Sequence, residues 1–165
     1  MNSCFNIRRY LVVSLVALAV FGMTARAYCY KAEVTDISGN KYFPAVKDAI
    51  SQAQKSINIV MFTMDASLSR QGSKPHQLIG ALIEAKKRGV DVEVILDQNV
   101  DFVQRRYAGD WETKVKSTRA YKLLKDSGIK VYYDEPARYA HSKTVFIDKK
   151  IVILGSTNWT ESSFY

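Results

Sequence analysis

Residues 57–96 read INIVMFT, then MDASLSRQGSK, then PHQLIGALIEAKKRG, then VDVEVIL. The first piece is an almost continuous apolar run, the pattern of a strand covered on both faces. Residues 65–74 are polar and turn-rich, and read as a loop. Pro75 opens a helix in which Leu78, Ile79, Ala81, Leu82 and Ala85 fall at helical spacing. It ends in Lys86-Lys87-Arg88 before Gly89, cations at the negative end of the helix followed by a glycine cap. Those three cations are read as complementing the helix dipole rather than as a binding patch. Residues 90–96 alternate into a second strand. Strand, helix, strand is a crossover unit, and it sets the class as α/β.

The pattern extends in both directions. Upstream, Phe43-Pro44 opens a helix with Ala45, Val46, Ala49, Ile50 and Ala53 on one stripe, down to Gln54. Residues 28–40 read as a short strand entering a Gly39-Asn40 turn. Downstream, residues 120–127 form a third helix stopped at Gly128, and residues 129–133 form another core strand. Residues 144–147 and 151–154 are two β runs joined by Asp148-Lys149-Lys150, a hairpin. The expected fold is therefore an α/β single domain over residues 28–165, with a mixed, partly parallel β-sheet flanked by helices on both faces. Residues 99–117 are the longest stretch without clear periodicity.

The first 27 residues read as an address. Arg8 and Arg9 precede an 11-residue apolar run, LVVSLVALAVF at 11–21, and Ala25-Arg26-Ala27 supplies the small residues of a cleavage site. The run falls well short of the roughly 20 residues that span a bilayer. A signal peptide over 1–27 and a periplasmic or secreted product are the expectation. The chain of 165 residues carries 24 Lys and Arg against 16 Asp and Glu, a net charge of +8; without Arg8, Arg9 and Arg26 it keeps +5. That balance favours polyanionic partners, nucleic acid or an anionic lipid surface. Cys4 leaves with the signal and Cys29 stays alone, which excludes an intrachain disulfide framework and a zinc–thiolate cluster.

The chemistry is concentrated near the C-terminal end: Ala140-His141-Ser142-Lys143, then Asp148, then Gly155-Ser156-Thr157-Asn158. Residues i and i+2 of a strand share a face, so His141 and Lys143 project together. The second hairpin strand returns Gly155, Ser156 and Asn158 to the same end of the sheet. A lysine charge, a hydroxyl, an amide and glycine-exposed backbone N–H groups make a phosphate pocket. The imidazole beside it is able to attack phosphorus or to move protons.

At these residues the chain resembles the phospholipase D superfamily, whose signature is H-x-K-x4-D-x6-G-S-x-N. His141, Lys143, Asp148, Gly155, Ser156 and Asn158 meet every specified position. The surrounding layout is similar to the small bacterial endonucleases of that superfamily. The resemblance implies that the motif histidine forms a covalent phosphohistidine and that a second histidine protonates the leaving alkoxide. Lysine and asparagine stabilise the phosphoryl oxygens, and no metal or other cofactor is used. Because only one motif is present, it also implies a two-fold homodimer in which each subunit gives one histidine. It further implies a segment with Asn-x-Glu and a final strand beyond the turn. The residues through Tyr165 do not contain that strand, and Glu161 lies too near the turn to replace its glutamate.

Other candidates rest on weaker patterns. Asp148 belongs to the signature, but its hairpin position gives it a mainly structural reading. Trp159 is read as core. His76 follows Pro75 at a helix start, where solvent-facing polar residues are routine. Arg105, Arg106, Tyr107 and Trp111, followed by Lys114, Lys116 and Arg119, interleave cations with rings as a nucleic-acid groove does, and equally as a solvated face does. The leading functional expectation is a metal-independent endonuclease acting on DNA or RNA. The alternatives are a lipid phosphodiesterase acting on membrane phospholipid, and an inactive nucleic-acid-binding remnant.

Overall fold

The computed structural model describes residues 31–66, 72–98, 117–135 and 140–164. The expected signal peptide, both cysteines, Arg105 and Arg106 lie outside the described residues. A five-stranded mixed sheet organises residues 36–165, with strands β1 (Ser56–Met61), β2 (Asp91–Leu96), β3 (Lys130–Tyr133), β4 (Lys143–Ile147) and β5 (Ile151–Leu154). Its spatial order is β3-β2-β1-β4-β5. The three strands β1, β2 and β3 are parallel, and β4 and β5 are antiparallel additions on the far side of β1.

Three helices complete the layer: α1 (Tyr42–Gln52), α2 (Lys74–Lys87) and α3 (Thr118–Asp126). α2 links β1 to β2 and α3 lies between β2 and β3. Two right-handed crossovers stepping the same way along a sheet place their helices on the same face. The packing agrees: α1 packs on α2, and Tyr121 of α3 stacks on Tyr133 of β3 at 4.4 Å between ring centroids. Ile57, Ile59 and Met61 of β1, with Val92, Val94 and Leu96 of β2 and Val145 and Ile147 of β4, meet Val46, Ile50, Leu78, Ile79, Leu82 and Leu124 in one core.

The expected mixed sheet with flanking helices is thus present, and among the described residues the helices share one face. Residues 57–63 were expected to be covered on both sides. Instead Asn58 is exposed and Val60 half-buried, in the rows that also carry the exposed Phe146, Val152 and Leu154. Residues 31–38 are not a strand either. Asp36 accepts the Ser38 N–H through its own carboxylate at 3.0 Å, a local turn that competes with a ladder. The other boundaries agree with the sequence reading to within two residues, and Ser73 caps α2 by accepting from the His76 N–H.

Candidate active site

The carboxyl ends of β1, β2 and β3, the start of β4 and the end of β5 all meet at one edge of the sheet. In open α/β sheets this is where ligands bind. Lys143 is the first residue of β4 and pairs with Met61, the last of β1, so its side chain falls on the covered face. It is buried to 5% exposure. Its ammonium donates to the His141 carbonyl at 3.0 Å and sits 4.7 Å above the Phe62 ring centroid. Burial pushes the Lys143 pKa below the usual lysine range, and the nearby Asp97 carboxylate pushes it back up.

His141 is exposed, with its ring edge-on to the same phenyl group, centroid to centroid 4.4 Å at 68°. The imidazole and the ammonium are therefore seated on one aromatic ring. The Phe62 N–H donates to the Ser142 carbonyl at 2.9 Å, which ties this ring's backbone to the residue between them. Phe62 was not singled out in the sequence, because it reads there as one more residue of the apolar run at 57–63.

The register Thr144 to Leu154 carries Gly155 and Ser156 back beside the start of β4. The far side of the turn is fixed by Trp159, which is fully buried. Its N–H donates to the Thr63 carbonyl at 3.0 Å and its carbonyl accepts from Asp65 at 2.8 Å, extending β1 by an isolated parallel bridge. The indole N–H donates to the Tyr42 hydroxyl at 3.3 Å. The turn is thereby held at both ends. Ser156 is exposed on it, and the Asn158 amide has its Oδ1 buried without a hydrogen-bond partner. An amide oxygen buried without a partner, in a turn fixed beside the start of β4, is an acceptor open to a hydrogen-bond donor.

Asp148, grouped with the site by the signature, is not part of this cluster. It lies at the opposite end of β4, where its carboxylate accepts the backbone N–H groups of Gln54, Lys55 and Ser56 at 2.9, 2.7 and 2.9 Å. Those bonds hold its pKa below the usual carboxylate value of 3.8. Seven residues of extended chain separate it from His141, on the order of 20 Å. Asp148 braces the junction between α1 and β1. His76, read as solvent-facing, is half-buried in the first turn of α2 with its Nδ1 buried and unpartnered.

Residues 46–165 match the family model described as "Cardiolipin synthase, PLD-like domain". The chain belongs to the phospholipase D-like family. It is similar to a phospholipase D of Rickettsia bellii, 31% identical over 118 residues, which are 72% of this chain and 48% of that protein. It is similar to the mitochondrial cardiolipin hydrolase of Mus musculus, 30% identical over 113 residues, 68% of this chain and 41% of that one. The chain thus spans about half the length of the curated relatives it matches.

Among solved structures it superposes on the phospholipase D family member Nuc of Salmonella typhimurium. The TM-score is 0.56 at 28% identity, covering 73% of this chain and 66% of that one. NucT of Helicobacter pylori shares the fold, with a TM-score of 0.52 at 22% identity over 76% and 72% of the two chains. The mixed-sheet fold expected from the sequence is that of this family.

Proposed function

We propose that this protein is a metal-independent phosphodiesterase that cuts nucleic acid through a phosphohistidine at His141, in a two-fold homodimer. The observation that carries the reading is the seating of His141 and Lys143 on the Phe62 ring, at the sheet edge to which the 155–158 turn returns. In the first step an imidazole nitrogen of His141 attacks phosphorus. The P–N bond forms, the P–O bond to the leaving alkoxide breaks, and His141 of the partner subunit gives that oxygen a proton. In the second step the same partner histidine takes a proton from water. The resulting hydroxide attacks phosphorus, and the P–N bond breaks to free His141.

Lys143 and the Ser156 and Asn158 side chains hold the negative phosphoryl oxygens. The ammonium is preorganised for this, being already fixed between Phe62 and the His141 carbonyl. Gly155 gives the turn a close backbone approach to the phosphate. The net charge of +5 that remains without Arg8, Arg9 and Arg26, and the likeness to Nuc, support nucleic acid as the polyanion. A signal peptide over residues 1–27 and a periplasmic or secreted location belong to the same reading. Arg105 and Arg106 are proposed as backbone-phosphate contacts.

A second reading is favoured by the names of the curated relatives, phospholipase D and cardiolipin hydrolase: the same phosphoryl chemistry on a phospholipid headgroup. The test is incubation of the protein and its His141→Asn variant with plasmid DNA in excess chelator. Cutting by the wild type alone is expected. Loss of cutting on adding chelator overturns metal independence, and DNA binding without cutting identifies a non-catalytic binding protein. Headgroup release from phospholipid vesicles with inert DNA transfers the site to the second reading. Sedimentation of the active species as a monomer refutes the shared site.

A further inference from the structure

The order β3-β2-β1-β4 puts β3 and β4 on opposite sides of the β1–β2 pair, and residues 140–142 lead into β4 at the carboxyl ends of those two strands. His141 stands in that entry, two residues before β4 begins. Its backbone needs anchoring, because a side chain on a loose connection is not held to the tolerance that attack on phosphorus demands. Two carboxylates provide the anchor. Asp97, the residue after β2, and Asp134, the residue after β3, both accept the Ala140 N–H, at 2.9 and 3.0 Å. Asp134 is itself fixed by the Gln98 N–H at 2.8 Å, and its own N–H continues the ladder to the Leu96 carbonyl at 3.0 Å. The Asp97 N–H reaches the Met61 carbonyl at 3.3 Å, the strand end that faces Lys143.

Asp97 is fully buried directly after the apolar Val92, Val94 and Leu96. A carboxylate there is costly to desolvate and is not required by packing. It is also the negative group that opposes the loss of charge from Lys143.

The geometry points to Asp97 as a positioning residue for the nucleophile: with Asp134 it clamps the N–H immediately before His141. This rests on the reading of His141 as the attacking group. Asp97→Asn keeps an acceptor for Ala140, though a weaker, neutral one, whereas Asp97→Ala removes it. Asp134→Asn loosens only the second jaw of the clamp.

The experiment measures DNA cutting for these three variants beside the wild type and His141→Asn. Amide hydrogen exchange at Ala140 and His141 is followed in the same proteins. Asp97→Ala is expected to lose about 100-fold in kcat with KM within about threefold, the penalty of a nucleophile displaced by about 1 Å. Asp97→Asn recovers part of that loss. Ala140 exchange quickens at least tenfold in Asp97→Ala and less in Asp97→Asn, including in a His141→Asn background that cuts nothing.

A folded Asp97→Ala with wild-type kcat overturns the proposal. So does a loss in KM equal to that in kcat, or an Asn variant no better than Ala. Should Asp97→Ala not fold, unchanged kcat and Ala140 exchange in both Asp97→Asn and Asp134→Asn overturn it as well. Wild-type protein that does not cut DNA refutes the nuclease reading instead, and the exchange measurement still decides whether Asp97 holds the segment.

Discussion

Trp159 offers the sharpest test of whether the 155–158 turn is held by packing. It is fully buried, donates its indole N–H to Tyr42 at 3.3 Å, and carries the bridge that extends β1. Burying an indole removes about 250 Å² from water, which at about 25 cal/mol/Å² is about 6 kcal/mol. Compactness of the unfolded chain lowers that by roughly 10–40%. Trp159→Ala is therefore expected to cost about 4 to 5 kcal/mol, within the range for large-to-small core changes. That is a large share of a stability of about 5–15 kcal/mol. Trp159→Phe keeps most of the volume but loses the indole N–H, and is expected to cost about 1–2 kcal/mol. Urea unfolding followed by circular dichroism measures both. Activity per folded molecule, measured below the unfolding midpoint, then reports on the turn. Equal midpoints for wild type and Trp159→Ala would refute the packing argument. A destabilised Trp159→Ala with full activity per folded molecule would show that the turn is held without it.

Lys143→Met retains an apolar stem on Phe62 and loses the charge, so cutting should fall about 10²–10³-fold with the fold intact, as checked by single-turnover rates and circular dichroism. Burial holds the Lys143 pKa below 10.5, so its ammonium is lost as pH rises through that lowered value. The alkaline decline of the wild-type rate should begin under that value, and Lys143→Arg should move it to higher pH. Asp148 has a folded pKa below 3.8, so its stabilisation is full at neutral pH and is lost as pH falls through the lowered value. The melting-temperature gap between wild type and Asp148→Ala should accordingly narrow below pH 3.8. A Cβ at Gly155 would meet Tyr42 Cε2 at 3.8 Å, an ordinary contact, so Gly155→Ala should change stability by no more than about 0.5 kcal/mol in a urea titration.

Local pattern carried much of this architecture. The spacing that makes α2 is a property of neighbouring residues and is visible in one chain. The burial of Trp159 was legible for the same reason, as a large ring directly after a polar turn. His141, by contrast, precedes β4 and is exposed while Lys143 is buried, so the two meet at the Phe62 ring and not as alternating residues of one strand. Phe62, Asp97 and Asp134 were not legible. Their contacts with the segment around His141 depend on β4 lying beside β1 and not beside β3, and strand order is a long-range choice that periodicity does not encode. Asp97 and Ala140 are 43 positions apart. The open face of β1 was missed because an apolar run has the same composition whether one face is covered or two.

The signature thus mixes two kinds of residue, and the sheet explains why both are required. Side chains alternate along β4, so a slip of one position against β1 would turn Lys143 from the covered face to the open one and carry His141 away from Phe62. Strand β4 has only five residues with which to resist such a slip. Asp148 fixes its far end: the carboxylate takes three N–H groups from residues 54 to 56, and its own N–H reaches the Ser56 carbonyl at 2.9 Å. Asp148 and Lys149 both take positive φ, 53° and 57°, which closes the hairpin tightly behind that anchor. The near end is tied by the Phe62 N–H to Ser142. A carboxylate at the opposite end of β4 can therefore still bear on His141 and Lys143, because it sets which face of the sheet the lysine occupies.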